Sequence, residues 1–209
     1  MDYVIANFDR IAAMTGRHLQ ICALSIALAL AIGILLGILC AKLRLLAPVV
    51  LHTVGIIYTI PTLALFGLMI PILGIGLVPA IAAVVLYSLL PIVQNTYTGI
   101  VTLRPEIREA AVGLGMGPAD ILFRVELPLA LHIIFAGLRT AVVNAVGMVT
   151  LASLIAAGGL GDLIFRGIAS VSLNVVLAGS VPVIVLALIA DFMLRLAERW
   201  LSIAAGDAP

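Results

Sequence analysis

The longest run without a charged residue decides what this chain can fold into. No Asp, Glu, Lys or Arg occurs from Leu45 to Leu103, a run of about 59 residues. Three further charge-free runs cover 19–41, 140–161 and 167–190. A helix of a soluble domain needs a polar face toward water, whereas about 20 consecutive apolar residues suffice to cross a bilayer. The runs therefore exclude a soluble globular domain and predict an all-α polytopic membrane protein.

These runs divide into five candidate spanning helices, at about 19–41, 49–72, 77–99, 132–157 and 175–197. A cluster of glycine and proline (Pro71, Gly74, Gly76, Pro79) predicts the turn between the second and third spans. Pro61 and Pro91 fall inside those two spans and are expected to kink them. Such kinks could act as hinges for gating, or they could be distortions of the helix without a functional role. We interpret residues 1–209 as one transmembrane domain.

The basic residues predict how the spans are oriented. Seven of them fall on one side of the predicted membrane: Lys42, Arg44, Arg104, Arg108, Arg124, Arg195 and Arg199. The other side holds Arg10, Arg17 and Arg166, and Arg139 falls inside span four. Cytoplasmic loops carry an excess of Lys and Arg. Five spans then place the N-terminus outside the cell and the C-terminus in the cytoplasm. The first ten residues are acidic to neutral, so we do not expect a cleaved signal peptide.

Several classes of function are excluded by what the chain lacks. A net charge of +1 leaves no basic surface for nucleic acid. The three histidines and two cysteines show no metal-ligand spacing, and no catalytic constellation is visible. The glycines of 113–117 and 158–161 do not form a Walker A loop, because the single lysine, Lys42, is followed by Leu43. Tight turns and close helix contacts explain these glycines instead.

The segment 104–131 is the one sizeable polar region, and it predicts a helix–turn–helix at the cytoplasmic surface. Pro105 suits a first helical position. An apolar stripe follows at helical spacing: Ile107, Ala110, Ala111 and Leu114. Glycines up to Gly117 end this helix, and Asp120 begins a second one that Leu127-Pro128 is expected to end. The weakly apolar face could pack on the membrane or dock into a partner protein.

Four ionisable residues and one amide stand out near or beyond the spans. Arg139 and Asp191 lie at membrane depth, so an ion pair between them or a contact with the 104–131 loop is expected. Asn144 could hydrogen-bond between helices or line a pathway. Asp162 and Arg166 are assigned to an outer loop, where they could contact an external protein or simply be solvated.

The 104–131 segment carries a pattern that resembles a known signature. Its residues are Glu109-Ala110-Ala111, then Gly115, Val125 and Leu127-Pro128. This resembles the EAA signature of bacterial ABC importer permeases, with Val125 where that family usually has isoleucine. The resemblance implies a type I importer permease fold whose coupling helices dock into a cytoplasmic ATPase. The residues it assigns to coupling are Glu109, Ala110, Ala111, Gly115, Met116, Gly117, Val125, Leu127 and Pro128.

A finer resemblance, to the osmoprotectant branch of these permeases, covers most of the chain. It rests on the segments 60–65, 70–76, 89–100, 125–130, 136–141 and 156–161. That branch imports glycine betaine, carnitine, choline or similar quaternary amines across the bacterial inner membrane. The resemblance implies two ATPase subunits that bind ATP and Mg, a second permease copy (identical or homologous), and an external binding protein. Pro61, Pro91, Arg139 and Asn144 are the candidates for gating or pathway roles, and Asp162 and Arg166 for binding-protein contact.

Quaternary ammonium groups are normally held by aromatic cages. Tyr58, Tyr87 and Tyr97 are expected to be dispersed along two spans, and Trp200 ends span five. We therefore expect the external protein to select the substrate and this chain to supply a low-affinity path.

Three alternatives stay open from the residues. The chain could be an ABC permease for another small solute, such as an amino acid. An ion-coupled secondary transporter would need midplane ion sites and inverted repeats, which are not visible here. A scaffold subunit that transports nothing would explain the spans but not the spacing of the 104–131 motif.

Overall fold

The computed structural model describes residues 2–43 and 45–204, and every regular element in them is helical. The α-helices are α1 (Asp2–Ala6), α2 (Phe8–Lys42), α3 (Leu46–Thr59), α4 (Thr62–Leu73), α5 (Leu77–Val101), α6 (Pro105–Gly113), α7 (Pro118–Ile121), α8 (Leu127–Ala152), α9 (Gly161–Ala169) and α10 (Leu173–Ala204). A π-helical turn, Leu122–Glu126, joins α7 to α8, and a 3₁₀ turn, Ser153–Ile155, follows α8. Arg44, one of the basic residues counted above, lies outside the described residues.

The long helices α2 and α5 pack side by side in the same direction. A Cβ on Gly33 would lie 2.7 Å from Ile92 Cγ2, and a Cβ on Gly37 would lie 2.5 Å from Thr96 Cβ. The residue numbers rise together along the two helices, so the helices are parallel. Since two parallel helices begin at the same end of the bundle, the intervening chain must cross the bundle once.

That crossing is made by a broken helix. Helices α3 and α4 meet at Ile60-Pro61 with a bend of 102°. Pro61 disfavours a helical residue before it, and Ile60 is extended with φ −66° and ψ 128°. The expected span with a distortion at Pro61 is therefore confirmed, but the helix is broken there and not only kinked: two half-helices make this crossing. Helix α5, in contrast, continues through Pro91.

Counting α3 and α4 together as one broken span, residues 2–43 and 45–204 contain five crossings of the bundle. Helix α8 runs antiparallel to α5, because Gly99 meets Ala130 near one end while Gly137 meets the Pro91 carbonyl further along. Lys42, α6 and the last turns of α10 lie at one end of the bundle, called the α6 end. The start of α2, the α4–α5 turn and α9 lie at the opposite end, called the α9 end.

Small residues let the helices approach closely. Ala29, Ala80, Ala83, Ala141 and Ala145 are fully buried in the main core. Between spans, where the surrounding lipid is as apolar as the side chains, association depends on such close packing. The bundle is therefore held by backbone proximity at its centre, with larger side chains such as Phe66 and Ile92 filling around it.

Two other expectations about boundaries need correction. Helix α2 begins at Phe8 and not near residue 19, so its 35 residues extend about 52 Å, beyond a hydrocarbon core of about 30 Å. The loop expected around Asp162 contains α9, which the apolar pattern did not reveal. The turn reading of the glycines before α9 is confirmed, because Gly158 and Gly159 have φ of +83° and +99°.

Candidate functional site

Helix α6 projects from the bundle and ends in a Schellman motif. Pro105 opens the helix at a position where a missing N–H costs nothing. At the other end Gly115 adopts φ +79°, its N–H donates to the Val112 carbonyl at 2.9 Å, and the Met116 N–H donates to the Ala111 carbonyl at 3.1 Å. This pattern needs a left-handed residue, which glycine adopts without strain. Gly115 is therefore required by backbone conformation, since its missing side chain faces open space.

The burial of residues on α6 does not follow the apolar stripe predicted from the sequence. Ala111 is 4% exposed against the bundle, and Ile107 is half-buried. Ala110 is exposed, and Leu114 is 82% exposed, so the four residues do not form one face. Toward the C-terminal end of α6 the exposed residues are Glu109, Ala110, Val112, Gly113 and, just after the helix, Leu114, whereas Pro105, Glu106 and Arg108 are exposed nearer its start. An exposed apolar surface on a short polar helix is typical of a docking site for another protein.

A buried carboxylate fastens this helix to the spans. Glu126 is 1% exposed. Its Oε2 accepts from Lys42 Nζ at 2.6 Å, and its Oε1 accepts from Arg108 Nε at 2.9 Å. Lys42 ends α2, Arg108 lies in α6, and Glu126 immediately precedes α8. One carboxylate therefore connects α6 to two membrane-crossing helices, and we call these three residues the Glu126 clamp.

The π-helical turn aims Glu126 inward. The N–H of Leu127 donates to the Leu122 carbonyl, one residue further back than in an α-helix. The prediction that the second helix of the loop ends at Leu127-Pro128 is wrong. These two residues begin α8, and the chain is continuously helical from Pro118 through the π-helical turn into α8. Pro128 fits without a break because it occupies the first turn of α8. Val125 is half-buried beside it.

Arg139 and Asp191 form the predicted ion pair between α8 and α10. Arg139 Nε donates to Asp191 Oδ1, and Arg195 contacts the other carboxylate oxygen at 2.8 Å. Glu198 Oε2 lies 3.6 Å from Arg139. The pair joins two spans. Of the two contacts expected from the sequence, an ion pair or a contact with the 104–131 loop, the ion pair is the one present.

Asn144 joins α8 to the end of α3. Its Nδ2 donates to the Tyr58 hydroxyl at 3.1 Å, so the expected interhelical hydrogen bond is present. The Tyr58 ring lies 5.4 Å from that of Tyr87 on α5, centre to centre, at 46°. The prediction that the three tyrosines are dispersed is therefore wrong for two of them, because Tyr58 and Tyr87 are in contact. Sequence spacing did not show this, since the contact joins two separate helices, α3 and α5.

Asp162 and Arg166 lie on α9, at the end of the bundle opposite the Glu126 clamp. Arg166 is exposed and Asp162 is half-buried. Burial raises the pKa of the Asp162 carboxyl, and the positive charge of Arg10 partly opposes this. Their role in contacting another protein stays a prediction.

The Glu126 clamp was missed by sequence reasoning, although a signal was present. Glu126 is an acid among apolar residues, directly before Leu127 and one residue after Val125. A charge in such surroundings is expected to have partners. The pairing itself could not be found from spacing, because Lys42 is 84 positions away in the chain.

Comparison with known proteins places this arrangement in a family. The model of the inner membrane component of binding-protein-dependent transport systems matches residues 33–203. The chain is 44% identical to the osmoprotectant import permease protein OsmW of Salmonella typhimurium, with 92% of each chain covered. It is 39% identical to the choline transport system permease protein OpuBB of Bacillus subtilis, with 97% of this chain and 93% of that one covered.

Solved structures share the fold. A chain of the inward-facing MetNI methionine ABC transporter is 23% identical and superposes with a TM-score of 0.78, covering 93% of this chain and 95% of that one. A chain of an amino acid ABC transporter with histidines, 18% identical, also gives a TM-score of 0.78, over 94% and 96% of the two chains. The predicted importer-permease fold is confirmed. This multi-pass membrane protein belongs to the family of inner membrane components of binding-protein-dependent transport systems.

Proposed function

We propose that the chain is the permease subunit of an ATP-driven importer for glycine betaine, carnitine, choline or a related quaternary amine. The names of the relatives support this substrate class, at 39–44% identity over more than nine-tenths of the chain. The observation that carries the ATP-driven mechanism is the Glu126 clamp, which ties an outward-projecting helix to two spans. A scaffold subunit would need no such connection.

The α6 end faces the cytoplasm in this proposal. A separate ATPase subunit, which binds ATP and Mg, docks on the outward surface of α6, where Leu114 is 82% exposed. Motion of the ATPase then reaches α2 and α8 through the clamp. The residues of the EAA pattern, from Glu109 to Pro128, act here as the coupling set.

The α9 end faces outward and receives the external binding protein. Asp162 and Arg166 on α9 are the proposed contacts, and Arg166 is the more exposed of the two. A second permease copy, identical or homologous, completes the path. The chain itself carries no catalytic or metal-binding role in this proposal.

The test is uptake by the complete importer in proteoliposomes. Labelled glycine betaine, carnitine and choline are compared with labelled methionine and histidine, with ATP or a non-hydrolysable analogue inside. We expect ATP-dependent uptake of at least one quaternary amine. Uptake driven by an ion gradient without ATP, or uptake of the amino acids alone, would contradict the proposal.

A variant tests the docking surface separately. Leu114→Glu places a charge on the proposed interface and is expected to abolish co-purification of the ATPase. Ile5→Glu is the matched control, because Ile5 on α1 is also exposed (75%) but lies at the α9 end. Loss of the ATPase with both variants, or with neither, would show that α6 is not the docking site.

A further inference from the structure

The break between α3 and α4 lies deep in the bundle. Tyr58 is in the last turn of α3, about 18 Å along that helix from Leu46. Tyr87 lies about 15 Å from the outer end of α5, and Asn144 about 12 Å from the outer end of α8. In a hydrocarbon core of about 30 Å these three side chains meet near the middle of the membrane.

The chemistry at this depth favours a cation without supplying a fixed charge. The rings of Tyr58 and Tyr87 lie 5.4 Å apart, centre to centre, and are tilted by 46° to each other, and aromatic faces attract cations. The C-terminus of α3 adds the negative end of a helix dipole. No charged residue occurs between Leu45 and Leu103, so neither α3 nor α5 contributes a cation that would repel another.

Space is available beside these rings. Asn144 is exposed, and a Cβ built on Gly147, one turn further along α8, would meet no atom within 4 Å. A polar side chain exposed at mid-membrane depth faces a water-filled path or another subunit in preference to lipid. A broken helix at this depth is tolerated under the same condition.

We propose that Tyr58, Tyr87 and Asn144 form a transient site that holds the quaternary ammonium group of the substrate halfway across the membrane. The inference rests on the proposed function as a quaternary-amine permease. The trimethylammonium group packs against the two ring faces, and Asn144 keeps the Tyr58 ring in place through its hydrogen bond. Two rings make an incomplete cage without a carboxylate, which suits a group that must leave again.

Uptake of labelled choline or glycine betaine by the complete importer tests the site. Tyr87→Leu and Tyr58→Leu are expected to lower uptake about tenfold, because each removes a ring face. Tyr87→Phe keeps the face and is expected to stay within about twofold of wild type. Tyr97→Leu is the control, because Tyr97 lies on α5 outside the pair. Normal uptake by both leucine variants, or equal loss in the phenylalanine variant, would overturn the proposal.

Direct binding gives an independent measurement. Saturation-transfer NMR on the permease–ATPase complex, without binding protein, is expected to detect millimolar choline but not its uncharged isostere 3,3-dimethylbutan-1-ol. The signal is expected to disappear in Tyr58→Leu and to persist in Tyr97→Leu. Equal signals from choline and the isostere would contradict a site for a cation.

Filling the free space separates this site from a contact between permease copies. Gly147→Leu is expected to block uptake while the complex assembles normally. If this variant instead prevents assembly, the space belongs to a subunit interface and the inference fails. A wild-type importer that hydrolyses ATP but takes up no quaternary amine would refute the proposed function itself, whereas normal uptake by the leucine variants refutes the site alone.

Discussion

Glu126 and Lys42, 84 positions apart in the chain, are joined by a contact of 2.6 Å between Oε2 and Nζ. The contact places the end of the first span against the start of the fourth. Arg108 approaches the other oxygen of the same carboxylate, to within 2.7 Å. Because Glu126 is buried while its two partners are partly exposed, the carboxylate is the shared centre on which the geometry of the α6 end depends.

Replacing Glu126 should uncouple ATP hydrolysis from transport. Glu126→Gln removes the negative charge that both cations share, and a loss of about 1.4 kcal/mol of coupling corresponds to about a tenfold drop in transport per ATP hydrolysed. Lys42 and Arg108 are 38% and 48% exposed, so water can solvate them and the bundle should still fold. Uptake and ATP hydrolysis measured on the same proteoliposomes give this ratio.

Two further variants sharpen that test. Asp120→Asn breaks a nearby pair with Arg124, which stays within one helical segment and is largely exposed, so the ratio should not change. Exchanging the charges, Lys42→Glu with Glu126→Lys, should recover part of the coupling. A ratio that stays normal in Glu126→Gln would show that the clamp only stabilises the fold.

Gly115 should tolerate no larger residue without loss of coupling. Its φ of +79° costs a non-glycine residue about 1 kcal/mol, and more for a β-branched one such as valine. We expect Gly115→Val to lower ATPase co-purification and uptake while membrane insertion stays normal. Gly113→Ala, in the preceding turn of α6, serves as the control because that position is helical. Equal behaviour of the two variants would argue against the Schellman geometry.

Gly37 should be essential for folding of the bundle. A Cβ there would lie 2.5 Å from Thr96 Cβ and 3.1 Å from the Val93 carbonyl, so α2 and α5 would have to separate. Gly37→Val is expected to cost about 1–3 kcal/mol of folding free energy, as is typical of core overpacking, and to lower the yield of folded protein. Gly16→Val, on the same helix with open space around it, is the control. Thermal unfolding in detergent measures both variants.

Cysteine labelling should establish the orientation. The native Cys22 and Cys40 are buried, at 7% and 0% exposure, so background labelling is expected to be low. Ile5→Cys should react with a membrane-impermeant maleimide added to intact spheroplasts. Leu114→Cys should react only after the membrane is opened. The reverse pattern would place the α6 end outside the cell and exclude ATPase docking there.

The sequence was sufficient for the architecture and for part of the site. Charge-free runs predicted five crossings because lipid excludes unpaired charges, and the pair between Arg139 and Asp191 followed from the same cost. The turn at the glycines 158 and 159 followed from the freedom of glycine. These features depend on local rules, in which each residue restricts its own surroundings.

The missed features depend on contacts between distant segments. Proline at position 61 indicated a distortion, but it did not predict the angle of 102° between α3 and α4. The contact of Tyr58 with Tyr87 joins α3 to α5, and spacing along the chain does not show it. In the same way, the two basic partners of Glu126 lie 84 and 18 positions away, and no residue pattern within 122–126 predicts the π-helical turn.

The parallel packing of α2 and α5 has a consequence for biogenesis. Gly37 finds its partner Thr96 only after about 59 further residues have been synthesised, which takes several seconds at about 5–20 residues per second. Until then the surface of α2 around Gly33 and Gly37 has no partner on α5. The broken α3–α4 helix is synthesised before that partner. Helix α2 is therefore made well before the helix it packs against. We expect assembly of the protein to be sensitive to the translation rate between residues 40 and 100.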